Sequence, residues 1–211
     1  MSKAPSISFA ITVCNEKEEI RSLVEFLREN KRPHDEIVVL FDLKNGDEEL
    51  FEELQPLNKF PNFHIWRGFF DGDFAQWKNK LNSYCTKDYI FQIDADEQVS
   101  PSLMVMLPSL LEMNQEVDLY WVPRVNTVEG ITEEHIAKWR WHVNEFGFIN
   151  WPDWQGRIYR NREGIEWTGK VHERITGYKT IAQLPAVEDY SLRHPKTIER
   201  QEKQNKLYDS L

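Results

Sequence analysis

Four short apolar runs, separated by stretches with helical spacing, constrain this chain more than any other feature. Ile7–Val13 is nearly continuous in apolar residues, as is 37–41, which is the pattern of strands buried on both faces. Residues 63–67 and 89–93 read as two more strands. Between the first two runs, Ile20, Leu23, Val24 and Leu27 recur at helical spacing, with Asn15 as N-cap, Glu18 at the capping-box position and Pro33 as the stop. Residues 47–54 predict a short acidic helix ended by Pro56. Residues 74–85 predict an amphipathic one with Phe74, Trp77 and Leu81 on one side. Strands joined in this way imply right-handed crossovers and an α/β fold with a mostly parallel sheet.

Beyond residue 98 the pattern loosens. Pro101–Met113 predicts a helix capped by Ser100 with proline at its first position. Residues 119–125 predict a further strand, 133–144 a helix, 157–160 and 181–184 short strands, and 195–208 a polar helical tail. No internal repeat and no break in composition divides the chain. It reads as a single domain over 1–211.

Composition narrows the function classes. The chain has 211 residues, 40% hydrophobic and 29% charged, so it can bury a core without staples. Its net charge of −9 argues against a nucleic-acid partner, because phosphate affinity rests on clustered Lys and Arg. No apolar run is long enough to span a membrane and no secretory leader is visible, so the expected location is cytoplasmic, with peripheral membrane attachment left open. Cys14 and Cys85 form no CxxC pair and read as buried thiols of a reducing compartment.

The chemistry concentrates at the end of the fourth strand, in Phe91-Gln92-Ile93-Asp94-Ala95-Asp96-Glu97. In open α/β sheets, ligands bind at the carboxyl ends of strands. Carboxylates crowded there repel one another unless a cation lies between them. A hard divalent ion, Mn²⁺ or Mg²⁺, meets that need and would neutralise nucleotide phosphates. An acidic surface turn is the plain alternative.

These residues resemble glycosyltransferase family 2, whose fold is GT-A. Residues 8–16 (SFAITVCNE) are similar to its first strand and N-E turn. Asp42 stands where the family holds an acid contacting the base. Residues 74–79 (FAQWKN) resemble its donor-side helix, and Asp94-Ala95-Asp96-Glu97 its metal and diphosphate motif. The family's usual D-D-G-S-type loop is replaced by Asp42-Leu43-Lys44-Asn45-Gly46. The run from Trp151 to Arg160 (WPDWQGRIYR), followed by Gly169-Lys170-Val171-His172-Glu173, resembles a subgroup that includes lipopolysaccharide-core-type glucosyltransferases.

The resemblance implies a GT-A-like three-layer sandwich, with a nucleotide-binding half (1–98) and an acceptor-binding, catalytic half (99–211), and inverting, metal-dependent transfer of a sugar from a nucleoside-diphosphate donor. UDP-sugar is the commonest donor, and the acceptor would be a glycan, lipid-linked or other hydroxyl. It implies donor contacts from Thr12, Asn15, Glu16, Asp42, Lys78, Asn79, Asp94 and Arg157, and metal contacts from Asp96 and His194. The base would be Glu173 or Asp153. Trp151, Trp154 and His172 would face the acceptor, since four of the eight tryptophans crowd residues 139–154 and aromatic faces suit sugar rings.

Each residue also has a plain reading: Glu173 paired with Arg174 or Arg193, Asp153 capping a turn, tryptophans packing the interior. Lys196, Arg200, Lys203 and Lys206 read as a solvated helix face. Two other classes remain open. A nucleotidyltransferase would usually carry a glycine-rich basic loop after its first strand, which Asn15-Glu16-Lys17-Glu18 is not. A non-catalytic carbohydrate-binding protein would not need the acids Asp94, Asp96 and Glu173.

Overall fold

The structure, a computed structural model, describes residues 4–208. Strands β1 (Ile7–Val13), β2 (Glu36–Asp42), β3 (Phe63–Gly68) and β4 (Tyr89–Asp94) alternate with helices α1 (Lys17–Asn30), α2 (Glu48–Leu54) and α3 (Phe74–Asn82). There follow β5 (Gln98–Val99), α4 (Pro101–Met113), β6 (Leu119–Val122), β7 (Arg124–Glu129) and α5 (Glu133–Trp139). The chain continues with β8 (Gln155–Arg160), β9 (Glu166–Thr168), β10 (Arg174–Thr176), β11 (Ile181–Gln183), β12 (Leu192–Thr197) and α6 (Ile198–Tyr208).

Among the described residues one seven-stranded sheet carries the order β11-β6-β8-β4-β1-β2-β3. Its pairs are parallel except those made by β8, which runs against β4 and β6. Side chains alternate across it, as period two requires. Ile7, Phe9 and Ile11 share one core with Ile20 of α1, Leu50 of α2 and Leu103 of α4. Ala10, Val38 and Leu40 share the other with Trp77 and Leu81 of α3 and with Trp167 of β9 and Ile175 of β10. The result is three layers: helices α1, α2 and α4, then the sheet, then α3 with the β9–β10 hairpin. A small sheet, β5-β12-β7, stands beside them.

Several expectations are corrected. Asn15 does not cap α1. Glu16 holds the N-cap position, and its carboxylate folds back onto the N–H groups of Cys14 and Asn15, at 2.8 and 3.0 Å. The run expected as one strand over 119–125 is two strands in different sheets, divided at Pro123, which has no N–H to continue a ladder. The helix expected over 133–144 ends at Trp139, where Arg140 turns left-handed (φ 55°). Helix α3 stops at Asn82, short of Cys85. The tail begins as β12 and becomes helical only at Ile198. Cys85 is buried, but Cys14 is only partly so.

Candidate active site

The sheet order reverses at β1, which β2 flanks on one side and β4 on the other. Chains leaving such a point diverge and open a crevice at the carboxyl ends of the strands. A cavity of about 1720 Å³ lies there, and Thr12, Asn15, Glu16, Asp94 and Asp96 are among its lining residues. Thr12 and Asp94 are register partners across β1 and β4, so the ends of the two strands form its floor.

Every acid of the D-A-D-E run meets cations, and Asp94 and Glu97 share Arg157. Asp94 accepts from Arg157 Nη2 at 2.6 Å and from Gln92 at 3.2 Å, with Lys78 Nζ 3.7 Å away. Burial would raise its carboxyl, but Arg157 and Lys78 outweigh that and hold it well below the usual carboxylate range. Glu97 is buried and accepts from Arg157 at 2.6 Å, Arg124 at 3.1 Å and the Asp94 N–H at 3.0 Å. It thereby ties the turn to β7 and β8.

Asp96 points toward β12 and α6. Its Oδ2 lies 3.2 Å from His194 Nε2, 3.5 Å from Arg200 Nη2 and 4.0 Å from Lys196 Nζ. Burial opposes the charge, but the His194 hydrogen bond and the His194 and Lys196 charges bring the carboxyl down to about 2. His194 Nδ1 meets Asn126 Oδ1 at 2.8 Å, which fixes the imidazole. Burial lowers the pKa of the Lys196 ammonium despite Asp96. A desolvated cation facing a cavity favours an anionic occupant.

Across the cavity, the turn between β9 and β10 carries His172 and Glu173. His172 has a left-handed backbone (φ 56°), and the Lys170 carbonyl accepts from the Phe74 N–H at 3.0 Å, joining the turn to α3. Glu173 meets Lys78 Nζ at 2.6 Å, not Arg174 or Arg193. Lys78 therefore links two walls, since it also approaches Asp94 and lies 4.5 Å over the Trp167 ring. Asp153, also lining the cavity, has both oxygens engaged. Arg124 and Asn126 donate to Oδ2 at 2.9 and 2.6 Å, and Gln155 donates to Oδ1 at 3.0 Å. Burial again opposes its charge, and Arg124 overrides it, so its pKa is lowered.

The expected residues do not all converge. Thr12, Asn15, Glu16, Lys78, Asp94, Asp96, Asp153, Trp154, Arg157, His172, Glu173 and His194 line the cavity. Asp42 is buried beside it and accepts from the Lys44 and Phe70 N–H groups and the Asn45 amide, which shapes the loops after β2 and β3. Asn79 turns toward β9, where its amide pairs with both the N–H and the carbonyl of Trp167, at 2.9 and 2.8 Å. Trp151 packs edge-on against Phe148, with ring centroids 5.8 Å apart. None of these three is a lining residue.

The sequence reading missed Arg124, Asn126, Lys196 and Arg200, and it gave Glu97 no separate role. Arg124 was signalled by a charge at the end of an apolar run. Lys196 was signalled by the alternation Leu192, His194, Lys196, which was hidden because Pro195 reads as the start of the helical tail. Pro195 is tolerated because β5 has already ended, leaving β12 an edge there. Among the described residues no set of three His, Cys, Asp or Glu side chains converges on a metal position.

The model of the family "Glycosyl transferase family 2" matches residues 8–183. No curated protein matches the chain. Among solved structures, S. aureus TarS 1–349 superposes with a TM-score of 0.61 at 14% identity, covering 90% of this chain and 60% of that one. The same TarS fragment in complex with UDP-GlcNAc gives 0.65 at 12% identity, covering 90% and 58%; its complex with UDP gives 0.63 at 14%, covering 90% and 60%. The chain thus spans about 60% of the length of these structures. At such identities the likeness shows the fold, which is GT-A.

Proposed function

Since the chain belongs to glycosyl transferase family 2, we propose that it moves a sugar from a nucleoside-diphosphate donor to a hydroxyl of a glycan, lipid-linked or other acceptor. One observation carries this reading: Asp96, His194, Lys196 and Arg200 gather over the carboxyl ends of β1 and β4. A diphosphate needs cationic side chains without bulk at such a point, and the nucleoside can lie along Thr12, Asn15 and Glu16. UDP is the favoured nucleotide, because the TarS fragment forms complexes with UDP and UDP-GlcNAc. Within the family, the W-x-D-x-Q-x-R-x-x-R and G-x-V-H-E runs favour the lipopolysaccharide-core-type glucosyltransferases.

A divalent metal fits the donor set. An aspartate oxygen and an imidazole nitrogen 3.2 Å apart suit Mn²⁺ or Mg²⁺ when substrate phosphate and water complete the shell. Bound by Asp96 and His194, it would take up charge on the leaving diphosphate. Lys196 and Arg200 add fixed positive charge beside that group.

Glu173 serves as the base in this reading. The acceptor oxygen attacks the anomeric carbon, the bond from that carbon to the diphosphate breaks, and the hydroxyl proton passes to Glu173. Attack opposite the leaving group inverts the centre. Lys78 holds Glu173 in place and Arg157 holds Asp94. Asp153 is the poorer acceptor of a proton because three side chains already donate to it. His172 and Trp154 stand on the wall an acceptor would meet.

A thermal-shift panel tests this, using UDP-, GDP- and ADP-sugars and the nucleoside triphosphates UTP, GTP and ATP, each with Mn²⁺. A ligand at a hundred times its Kd stabilises by about 2.7 kcal/mol, a rise of roughly 5–10 °C in Tm for a chain of this size. One nucleotide class is expected to give that rise. No shift with any diphosphate sugar, or a shift only with a nucleoside triphosphate, would overturn the reading.

A further inference from the structure

We propose that the acceptor is a glycan of at least two rings, and that Trp121 and Tyr178 hold the ring beyond the one that receives the sugar. The inference rests on the transferase reading and adds a binding subsite to it.

The main cavity does not end at Glu173. It continues over the open face of β6 and β8, where Trp121 and Tyr178 line it, and both residues also line a second cavity of about 360 Å³. Ile181, Ala182 and Gln183 of the edge strand β11 complete that second cavity. The volume lies in the ~300–1,000 Å³ range of small-ligand sites. The two cavities therefore meet at Trp121 and Tyr178, between the proposed base and the edge of the sheet.

Local sequence explains why the groove is open. In the antiparallel pair of β6 and β8, Trp121 faces Gly156. Facing residues of such a pair project to the same side, so with no side chain at Gly156 the surface over Leu119 and Ile175, beside the half-buried indole, stays open. A Cβ at Gly156 would find no atom closer than Leu119 Cδ1 at 3.4 Å. The backbone there does not require glycine, since its φ is not positive. Trp121 and Tyr178 are anchored rather than loose, because both pack against the buried cluster of Leu119, Tyr159 and Ile175.

The chemistry of the lining identifies the occupant. The second cavity presents an indole, a phenol, two aliphatic side chains and one carboxamide, with no charged group among them. Aromatic planes stack on the C–H faces of sugar rings, and a carboxamide both donates to and accepts from hydroxyls. A phosphate or a charged peptide would find no counter-charge here. A neutral pyranose matches both features, and the shared Trp121 and Tyr178 place it next to the main cavity, on the side of His172 and Glu173.

The test uses the full chain with UDP and Mn²⁺ on an array of immobilised mono-, di- and tetrasaccharides of gluco, galacto and manno configuration. Wild type should be retained on glycans of two or more rings and not on single rings. Gly156→Leu, which fills the groove, and Tyr178→Ala, which removes a wall, should each lose about tenfold or more. Gln183→Ala lies on an exposed position of the edge strand, so it keeps its fold and should also weaken retention. Calorimetry with UDP is run alongside on wild type and Gln183→Ala. Unchanged retention in the variants, equal retention on single rings, or no retention at all would overturn the proposal. Absence of UDP binding in wild type would instead strike the transferase reading.

Discussion

Glu173 and Asp153 differ in what surrounds them. Glu173 lines the cavity and has one cationic partner, Lys78, on its Oε1. Asp153 is enclosed by Arg124, Asn126 and Gln155. Glu173→Gln should therefore lower kcat by about 10²-fold or more while the Kd for donor stays within about twofold. Stopped assays of donor turnover paired with calorimetry read both numbers, and a full-rate Glu173→Gln protein would remove Glu173 as base. At this scale the acids were legible in the sequence and their partners were not. A run of carboxylates after a buried strand is visible in one dimension. The cations that neutralise it come from Lys78, Arg124, Arg157, Lys196 and Arg200, spread over most of the chain, and only the fold assembles them. The tail lysine and arginine looked solvated because Glu199 and Glu202 alternate with them. In the structure Lys196 lies at 5% side-chain exposure beside Asp96.

Elements whose partners lie close in sequence were read well. Strands β1 to β4 and helices α1 to α4 follow from apolar period and from caps such as Ser100, whose hydroxyl accepts from the Leu103 N–H at 3.1 Å. The small strands β5, β7, β9, β10 and β12 were not, because their alternation is broken by charged and polar residues and by prolines such as Pro123 and Pro195. The link between α3 and β9 shows what such elements contribute. Asn79 satisfies both backbone groups of Trp167, and Trp167 in turn lies beneath Lys78. Asn79→Ala leaves those groups without their partner, which costs about 1–3 kcal/mol, or roughly 2–12 °C in Tm. UDP affinity should change little. A variant that melts as wild type but loses UDP would return Asn79 to the donor site.

For the whole molecule, the site is a knot of charge between the two sheets and the β9–β10 hairpin, and its stability follows pH accordingly. The carboxyls of Asp94, Asp96 and Asp153 lie lower in the folded chain than in the unfolded one. Depressed acids contribute stability that is fully present above the unfolded value of about 4 and is lost as pH falls through the folded value. Tm should thus drop as pH falls from about 4 to about 2, and Asp96→Asn should shallow that drop. An acid melting profile identical in wild type and Asp96→Asn would contradict the pairing of Asp96 with His194 and Lys196.

Among the described residues, no helix is long and apolar enough to cross a membrane. Calorimetric titration of UDP with Mn²⁺ into wild type and Asp96→Ala is the most direct test that this cavity is a nucleotide-sugar site. Saturable binding to wild type, weakened at least about tenfold in a variant that melts cooperatively, is expected, since the variant loses the carboxylate that would hold Mn²⁺ together with His194. Equal heats and equal Kd in the two proteins, or none in either, would contradict it.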